Sequence, residues 1–182
     1  TGALYHDIGK IRHAAFYTEN QRSINPHERL TDIQSARIII SHVQEGLELA
    51  EKHRLPKVIR DFIATHHGNS LTRFFYVQAQ NKCPDIEIDP ANFTYPGPEP
   101  STMEQAILMM CDAVEAASRS LKEITEESIS DLVDKIVDGQ LAEGHFKKTP
   151  ITFLDIENAK DVMKKKLQTI YHTRIQYPEL KK

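Results

Sequence analysis

Apolar residues recur along most of the chain with the period of an α-helix. In the clearest example, Thr31 and Gln34 form the signature of a capping box, and apolar residues then return every three or four positions from Ala36 to Ala50. This pattern predicts an amphipathic helix of about six turns. Strict alternation of apolar and polar residues, which marks a half-buried strand, is almost absent. We therefore expect an all-α fold.

Four further helices are predicted by the same kind of pattern. Their expected bounds are Pro56 to Gly68, Thr102 to Leu121, Thr125 to Gly139 and Asp155 to Ile170. The helix after Thr102 is apolar on almost every side, which predicts a position in the middle of the fold. Residues 83–101 contain five prolines and are expected to form a long loop, a candidate lid. We expect residues 1–182 to form a single domain.

Composition excludes several classes of function. Lys and Arg total 23 against 26 Asp and Glu, so no broad cationic surface is available to a nucleic-acid polymer. The two cysteines, Cys83 and Cys111, are too few for a disulfide framework and favour the cytosol. No apolar run is long enough to span a membrane. Because the chain starts at Thr1 without an initiator Met, we expect an N-terminally truncated fragment of a longer protein.

The candidate chemistry lies in histidines that fall on or beside inward-facing stripes. His6 and Asp7 stand at the expected end of a helix, where an imidazole and a carboxylate can reach two neighbouring cations. His66 continues the apolar stripe of its helix, His67 stands beside it, and His42 borders the apolar face of the long helix. Taken singly, a His-Asp pair is weak evidence of function and a histidine such as His42 is more often structural, while the pair His66-His67 is equally well explained as one core and one solvated histidine.

Asp112 is the strongest single observation. It interrupts an apolar run, where an ionised carboxylate is costly unless it is paired or binds a metal. A buried ion pair with Arg119 is the ordinary alternative, and Arg119 with Glu115 could equally form a surface edge of the helix. The combined set has four imidazoles and two carboxylates, a mixture that suits iron, manganese or zinc better than magnesium or calcium. We therefore expect a two-metal site.

The order of these residues resembles the signature of the HD-domain metal-dependent phosphohydrolases. Longer motifs are similar to the cytoplasmic HD domain of the seven-transmembrane HD family, bacterial phosphodiesterases that hydrolyse cyclic di-AMP. These motifs are Glu19-Asn20-Gln21, Asn25-Pro26-His27, Ile40-Ser41-His42-Val43, His66-His67-Gly68, Tyr95-Pro96-Gly97-Pro98 and Val114-Glu115-Ala116-Ala117-Ser118-Arg119-Ser120. The similarity extends from Thr1 to about Pro178. The cyclic di-GMP phosphodiesterases of the HD-GYP branch match less well, because no Gly-Tyr-Pro follows the paired histidines.

The resemblance implies an HD-domain helical bundle with a long Pro-rich loop and a binuclear metal site of iron or manganese. The implied ligands are His6, Asp7 and Asp112 for one metal, and Asp7, His42, His66 and His67 for the other, with Asp7 as the bridge. In this family the first ligand is a histidine further upstream, but only five residues precede His6. His13 and His27 follow the turn and are poor substitutes.

The implied reaction opens cyclic di-AMP to linear pApA by in-line attack of a two-metal-activated hydroxide. Asp7 and Lys10 would be the catalytic residues, and Lys10 and Arg119 would bind substrate phosphate. Candidate groups for adenine stacking, each of which is better explained by core or lid packing, are Phe74, Phe75, Tyr76 and Tyr95.

The resemblance also implies attached transmembrane and sensor regions outside this chain, which would tether a cytoplasmic domain to the cell membrane, and it leaves a homodimer open. Two alternative functions remain. One is an HD-superfamily hydrolase of another nucleotide, and the other is a non-catalytic module that senses cyclic dinucleotides.

Overall fold

The structure, a computed structural model, describes residues 1–21 and 25–172. These residues are helical without a strand, which confirms the all-α prediction. The α-helices are α1 (Gly2–Tyr5), α2 (Asp32–Lys52), α3 (Lys57–Thr65), α4 (Arg73–Lys82), α5 (Met103–Ser118), α6 (Glu126–Glu143) and α7 (Phe153–His172). Short 3-10 helices cover Ile8–Phe16, Thr18–Asn20, Pro26–Arg29 and Pro90–Phe93. Across the described part of the chain, no helix combines the length and the apolar character that crossing a bilayer requires.

The chain forms two compact units, Thr1–Glu99 and Pro100–Lys182. In the first unit α2 is the central helix, and α3, α4 and the 3-10 helix Ile8–Phe16 all pack against it. Two small apolar clusters hold these elements together, one around Ile63 between α2 and α3, the other around Phe93 between α2 and α4. The expectation of a single domain over 1–182 stays a prediction beside this division.

In the second unit α5, α6 and α7 pack against one another around a single apolar core. Met110 of α5 and Val133 and Val137 of α6 are completely buried there, and Met163 and Leu167 of α7 close the core. Burial of this apolar surface stabilises the three helices, since none of them would be stable alone in water.

Capping residues place the starts of several helices as the sequence predicts. The Thr31 hydroxyl accepts from Gln34 N at 3.2 Å, and the Gln34 side chain accepts from Thr31 N at 2.9 Å. Thr102 and Gln105 form the same reciprocal pair at the start of α5. Each pair satisfies backbone N–H groups that have no partner inside the helix, so the predicted capping box at Thr31 and the predicted helix start at Thr102 are confirmed.

Several predicted helix bounds are wrong by a few residues. Helix α3 ends at Thr65 rather than at Gly68, and α5 ends at Ser118 rather than at Leu121. Helix α6 continues through Gly139 to Glu143 and is followed by Gly144, whose φ of 84° gives the left-handed C-cap that favours glycine. Helix α7 begins at Phe153 because Thr152 and the predicted first residue, Asp155, form a capping pair. A single glycine inside a helix costs too little to end it when the apolar face continues beyond it.

The sequence did not predict α4, and within the long Pro-rich loop residues 90–95 are anchored to the rest of the first unit. Residues 73–82 have a weak apolar stripe, and it is packing against α2 that stabilises them as a helix. Phe93 and Tyr95 are buried, and the backbone around them is anchored: Thr72 N donates to Phe93 O at 2.7 Å, and Tyr95 N donates to Ser70 O at 2.9 Å.

Candidate metal centre

The His-Asp turn lies between α1 and the 3-10 helix Ile8–Phe16, as the sequence predicts. It approaches α2 closely because Gly9 has no side chain. A Cβ atom on Gly9 would collide with the carbonyl oxygen of His42 and would lie 2.6 Å from the amide nitrogen of Gly46. This contact between two glycines brings the carboxylate of Asp7 within reach of the His42 ring.

Three acceptor atoms converge beside this turn. Asp7 Oδ1 lies 3.4 Å from His42 Nε2 and 3.6 Å from His66 Nε2, and the two Nε2 atoms are 3.0 Å apart. Asp7 Oδ1 is buried without a hydrogen-bond partner. His67 belongs to the same group, since one ligand atom from each of the four residues lies within 4.8 Å of all the others.

The opposite side of each imidazole determines which nitrogen carries the proton. Nδ1 of His42 lies 2.5 Å from the carbonyl oxygen of Ile39, and Nδ1 of His66 lies 2.8 Å from that of Ile63. A carbonyl can only accept, so both Nδ1 atoms donate and both Nε2 atoms present lone pairs. Two lone pairs and a carboxylate oxygen therefore face one another, an arrangement that repels itself unless a cation lies between them. These residues fit a metal ion.

The two oxygens of Asp7 face different neighbours. Oδ1 faces His42 and His66, whereas Oδ2 lies 3.2 Å from His6 Nε2 and 2.8 Å from Lys10 Nζ. His6 is oriented in the same way as the other two rings, since its Nδ1 lies 2.8 Å from Ala3 O. A carboxylate whose oxygens address separate sets of partners has the geometry of a bridge.

Burial and charge keep these groups in the protonation states that bind a cation. Burial, with the nearby His66, lowers the pKa of His42 to about 4, so this ring is neutral at pH 7. Burial also holds the pKa of His67 well below its ordinary value. For Asp7, burial alone would raise the pKa, but the neighbouring groups His6, His66 and Lys10 together lower it well below its ordinary value. Neutral imidazoles and an ionised carboxylate are the ligating forms.

Sequence reasoning missed the residues that hold Lys10. Glu19 Oε1 lies 3.0 Å from Lys10 Nζ, and the ring of Tyr17 lies under the ammonium at 5.0 Å from Nζ. Tyr17 is buried and its hydroxyl donates to Ile38 O at 3.4 Å. The only available signal was the presence of Glu19 in a motif, because Tyr17 follows an irregular 3-10 helix without a clear apolar period.

The other predicted site residues are placed differently. Asp112 lies on α5 in the second unit and is half-buried, and its role as a ligand stays a prediction. Arg119 is 42% exposed and forms a bidentate pair with Glu115, with N–O distances of 2.8 and 2.9 Å, which favours the surface-edge interpretation. His13 lies 3.3 Å from Glu45 Oε1, and His27 Nε2 donates to Phe16 O at 2.9 Å. Neither histidine belongs to a potential ligand group among the described residues.

The candidate stacking residues are mostly occupied by packing. Phe75 and Tyr76 pack against the apolar cluster between α2 and α4, while Phe74 on the same helix is exposed. Tyr95 is only 5% exposed and lies against His67. The packing alternative is therefore correct for Phe75, Tyr76 and Tyr95.

Comparison with known proteins places this arrangement among characterised relatives. The model of the HD domain family matches residues 1–117. The chain is 41% identical, over 98% of its length, to the cyclic-di-AMP phosphodiesterase PgpH of Listeria monocytogenes. It is 39% identical, over its whole length, to the cyclic-di-AMP phosphodiesterase PgpH of Bacillus subtilis. The chain spans about a quarter of the length of these two relatives, 25% of each.

Two crystal structures of the L. monocytogenes PgpH HD domain are similar to the chain. The structure in complex with cyclic-di-AMP has a TM-score of 0.87 and 41% identity, and the match covers 97% of this chain and 81% of that one. The second has a TM-score of 0.86 and 38% identity, with coverage of 94% and 80%.

Proposed function

Because the chain belongs to the HD domain family, we propose that it is a metal-dependent phosphodiesterase that hydrolyses cyclic di-AMP to linear pApA. The observation that carries the proposal is the convergence of Asp7 Oδ1 with two imidazole lone pairs in a buried position that offers no donor. The choice of substrate is supported by the 41% identity to a phosphodiesterase that is named for cyclic-di-AMP.

The proposed ligand set has two parts. The described geometry supports Asp7, His42, His66 and His67 as one group. His6 is included because its Nε2 faces the second oxygen of Asp7, and Asp112 is included on its sequence context alone. Mixed nitrogen and oxygen ligands favour two transition-metal ions, and we propose iron or manganese.

Bound divalent cations would supply a water of near-neutral pKa as the nucleophile and would stabilise charge on the phosphoryl oxygens. The chain's own residues prepare the site for that chemistry. Asp7 presents one oxygen to each side of the site, and the carbonyls of Ile39 and Ile63 fix the imidazole lone pairs toward it. Lys10 adds a positive charge at the edge of the site, where it can attract a substrate phosphate.

Lys10 is well suited to that role because it is held from several sides. Burial alone would lower its pKa, but Asp7 and Glu19 hold that pKa above its ordinary value, so the ammonium stays charged. Arg119 remains a weaker proposal for phosphate binding, since its side chain is 42% exposed and paired with Glu115, whereas Lys10 lies 2.8 Å from the proposed metal ligand Asp7.

We further propose that residues 1–182 act as one HD phosphohydrolase domain on the cytoplasmic side of a membrane protein with attached transmembrane and sensor regions. The support is the similarity to relatives about four times as long, of which this chain spans 25%.

The decisive experiment measures metal content and hydrolysis on the same preparation. The chain is purified without chelator, its metals are counted by mass spectrometry, and the products from cyclic di-AMP, cyclic di-GMP and mononucleotides are separated by chromatography. We expect about two transition-metal ions per chain, conversion of cyclic di-AMP to pApA, and loss of activity after chelation.

Two outcomes would contradict the proposal. A clear preference for a mononucleotide would favour an HD hydrolase of another nucleotide. Less than one metal ion per chain together with undiminished binding of cyclic di-AMP would favour a sensor module.

A further inference from the structure

The ring of Tyr95 lies flat against the imidazole of His67. The two ring centroids are 4.2 Å apart and the planes differ by only 20°, whereas the contacts of His67 and Tyr95 with His42 are edge-on. Tyr95 is 5% exposed, so it offers no open face to a substrate base. Of its ring contacts with His42 and His67, only the one with His67 is face to face.

The backbone fixes Tyr95 in this position. Soon after His67 the chain turns at Gly68, whose φ is 52°, and Leu71 forms an antiparallel bridge with Thr94. Tyr95 N donates to Ser70 O at 2.9 Å on the same bridge. The segment that follows the paired histidines thus pairs with the segment that carries Tyr95, and the ring is delivered to His67 by main-chain hydrogen bonds.

The other three imidazoles near Asp7 are oriented by the carbonyl three residues earlier, namely Ala3 for His6, Ile39 for His42 and Ile63 for His66. His67 has a flat aromatic surface, the ring of Tyr95, against one face of its imidazole. Such a surface restricts rotation of the imidazole, which must keep one nitrogen directed at the group formed with Asp7.

We propose that Tyr95 is a positioning residue of the metal centre, which holds His67 in its ligating orientation through ring stacking. This inference rests on the proposed metal site and extends it to the Pro-rich segment. It assigns to Tyr95 a role in metal affinity and none in recognition of adenine.

The test compares the metal affinity of three variants with that of the wild-type chain. Each protein is stripped with chelator and titrated with Mn²⁺ by isothermal calorimetry, and the absorption spectrum of its Co²⁺ form is recorded. Tyr95→Leu removes the flat surface and is expected to weaken Mn²⁺ binding about tenfold or more and to alter the Co²⁺ spectrum. Tyr95→Phe keeps the ring and is expected to bind as the wild type does.

Phe93→Leu is the matched control. Phe93 lies two residues before Tyr95 on the same anchored segment and is completely buried, but its ring packs edge-on against Tyr76 at 5.6 Å. This variant is expected to lower the unfolding temperature and to leave Mn²⁺ affinity unchanged. If Tyr95→Leu does not fold, Tyr95→Met replaces it, since its flexible side chain fills much of the same volume.

The outcomes separate this inference from the proposed function. Equal Mn²⁺ affinity in the wild type and Tyr95→Leu would overturn the inference and leave the metal site intact. If Phe93→Leu lost as much Mn²⁺ affinity as Tyr95→Leu, the effect would come from general packing and the inference would fail. A loss of Mn²⁺ affinity in Tyr95→Phe would assign the effect to the hydroxyl and not to ring stacking. A wild-type chain that binds no metal would overturn the proposed function and the inference with it.

Discussion

At the scale of single residues, Asp7 is the residue of the first unit on which the proposed function depends most. Its Oδ1 is buried among imidazole nitrogens and its Oδ2 is shared by His6 and Lys10. An ordinary buried carboxylate would bind donors on both oxygens. Asp7 has donors on one oxygen only, and this leaves its other oxygen available to bind a cation.

Replacing this residue should therefore abolish the activity. We expect Asp7→Ala to reduce the rate of cyclic di-AMP hydrolysis by more than about a hundredfold, because it removes a ligand that both proposed metals share. His13→Ala should change the rate by less than about threefold, since His13 is paired with Glu45 and belongs to no potential ligand group among the described residues. Steady-state kinetics of both variants measure these rates. A loss of activity in His13→Ala as large as that in Asp7→Ala would contradict the proposed metal site.

The sequence could predict which residues meet around Asp7 but not how each is oriented. His42 and His66 were predictable because both fall on inward stripes of strongly periodic helices. The residues that hold Lys10 were not predictable, because Tyr17 precedes the short 3-10 helix Thr18–Asn20, Glu19 lies within it, and neither carries a periodic signal. Similarly, the stacking of Tyr95 on His67 could not be predicted from the sequence, because it depends on a bridge between segments more than twenty residues apart.

At the scale of elements, capping chemistry was the most reliable guide to helix starts. Thr31 and Thr102 begin α2 and α5 as predicted because a capping box is a local interaction that the sequence alone specifies. Helix α4 and the anchored segment around Phe93 depend on tertiary packing, which no local pattern encodes. The end of α6 at Gly144 depends on a left-handed residue that a second nearby glycine obscured.

Two helix caps of the second unit differ in whether they include a charged side chain. This difference predicts how the contribution of each cap to stability depends on pH. Asp155 Oδ2 accepts a hydrogen bond from the Thr152 hydroxyl at 2.6 Å and another from Thr152 N at 2.9 Å. These two hydrogen bonds lower the pKa of the Asp155 carboxyl below its ordinary value. A lowered folded pKa contributes stability that is complete above the unfolded pKa and is lost as the pH falls through the folded value. Thr125 and Ser128 form an equivalent cap without a charge.

We therefore expect Asp155→Asn to be less stable than the wild type near neutral pH and to approach it as the pH falls below about 4. Thr125→Ala should lose about 1 kcal/mol at every pH, because a hydroxyl cap does not titrate. Urea unfolding followed by circular dichroism at several pH values measures both differences. A pH-independent deficit in Asp155→Asn would show that its charge contributes nothing.

At the scale of the whole molecule, folding and cation binding should be linked. The donor group of Asp7, His42, His66 and His67 exists only when the turn, α2 and α3 are packed together. A ligand that binds the folded state alone stabilises it by about 2.7 kcal/mol at a concentration of one hundred times Kd.

Added Mn²⁺ should accordingly raise the unfolding temperature of the wild-type chain in scanning calorimetry, and a chelator should reverse the rise. Asp7→Ala should show a much smaller shift, because the shared ligand is gone. An equal shift in Asp7→Ala would place the stabilising cation elsewhere on the chain.

The wide spacing of the donors along the chain also has a kinetic consequence. Residues 7, 42 and 66 are 35 and 24 positions apart along the chain, and bringing such distant residues together costs entropy that local structure cannot offset. A partly folded chain therefore binds the ion only weakly, and the full binding free energy is available only from the native fold. Its effect should fall on the barrier to unfolding, so that occupancy prolongs the lifetime of the native state more than it hastens the return from the denatured one.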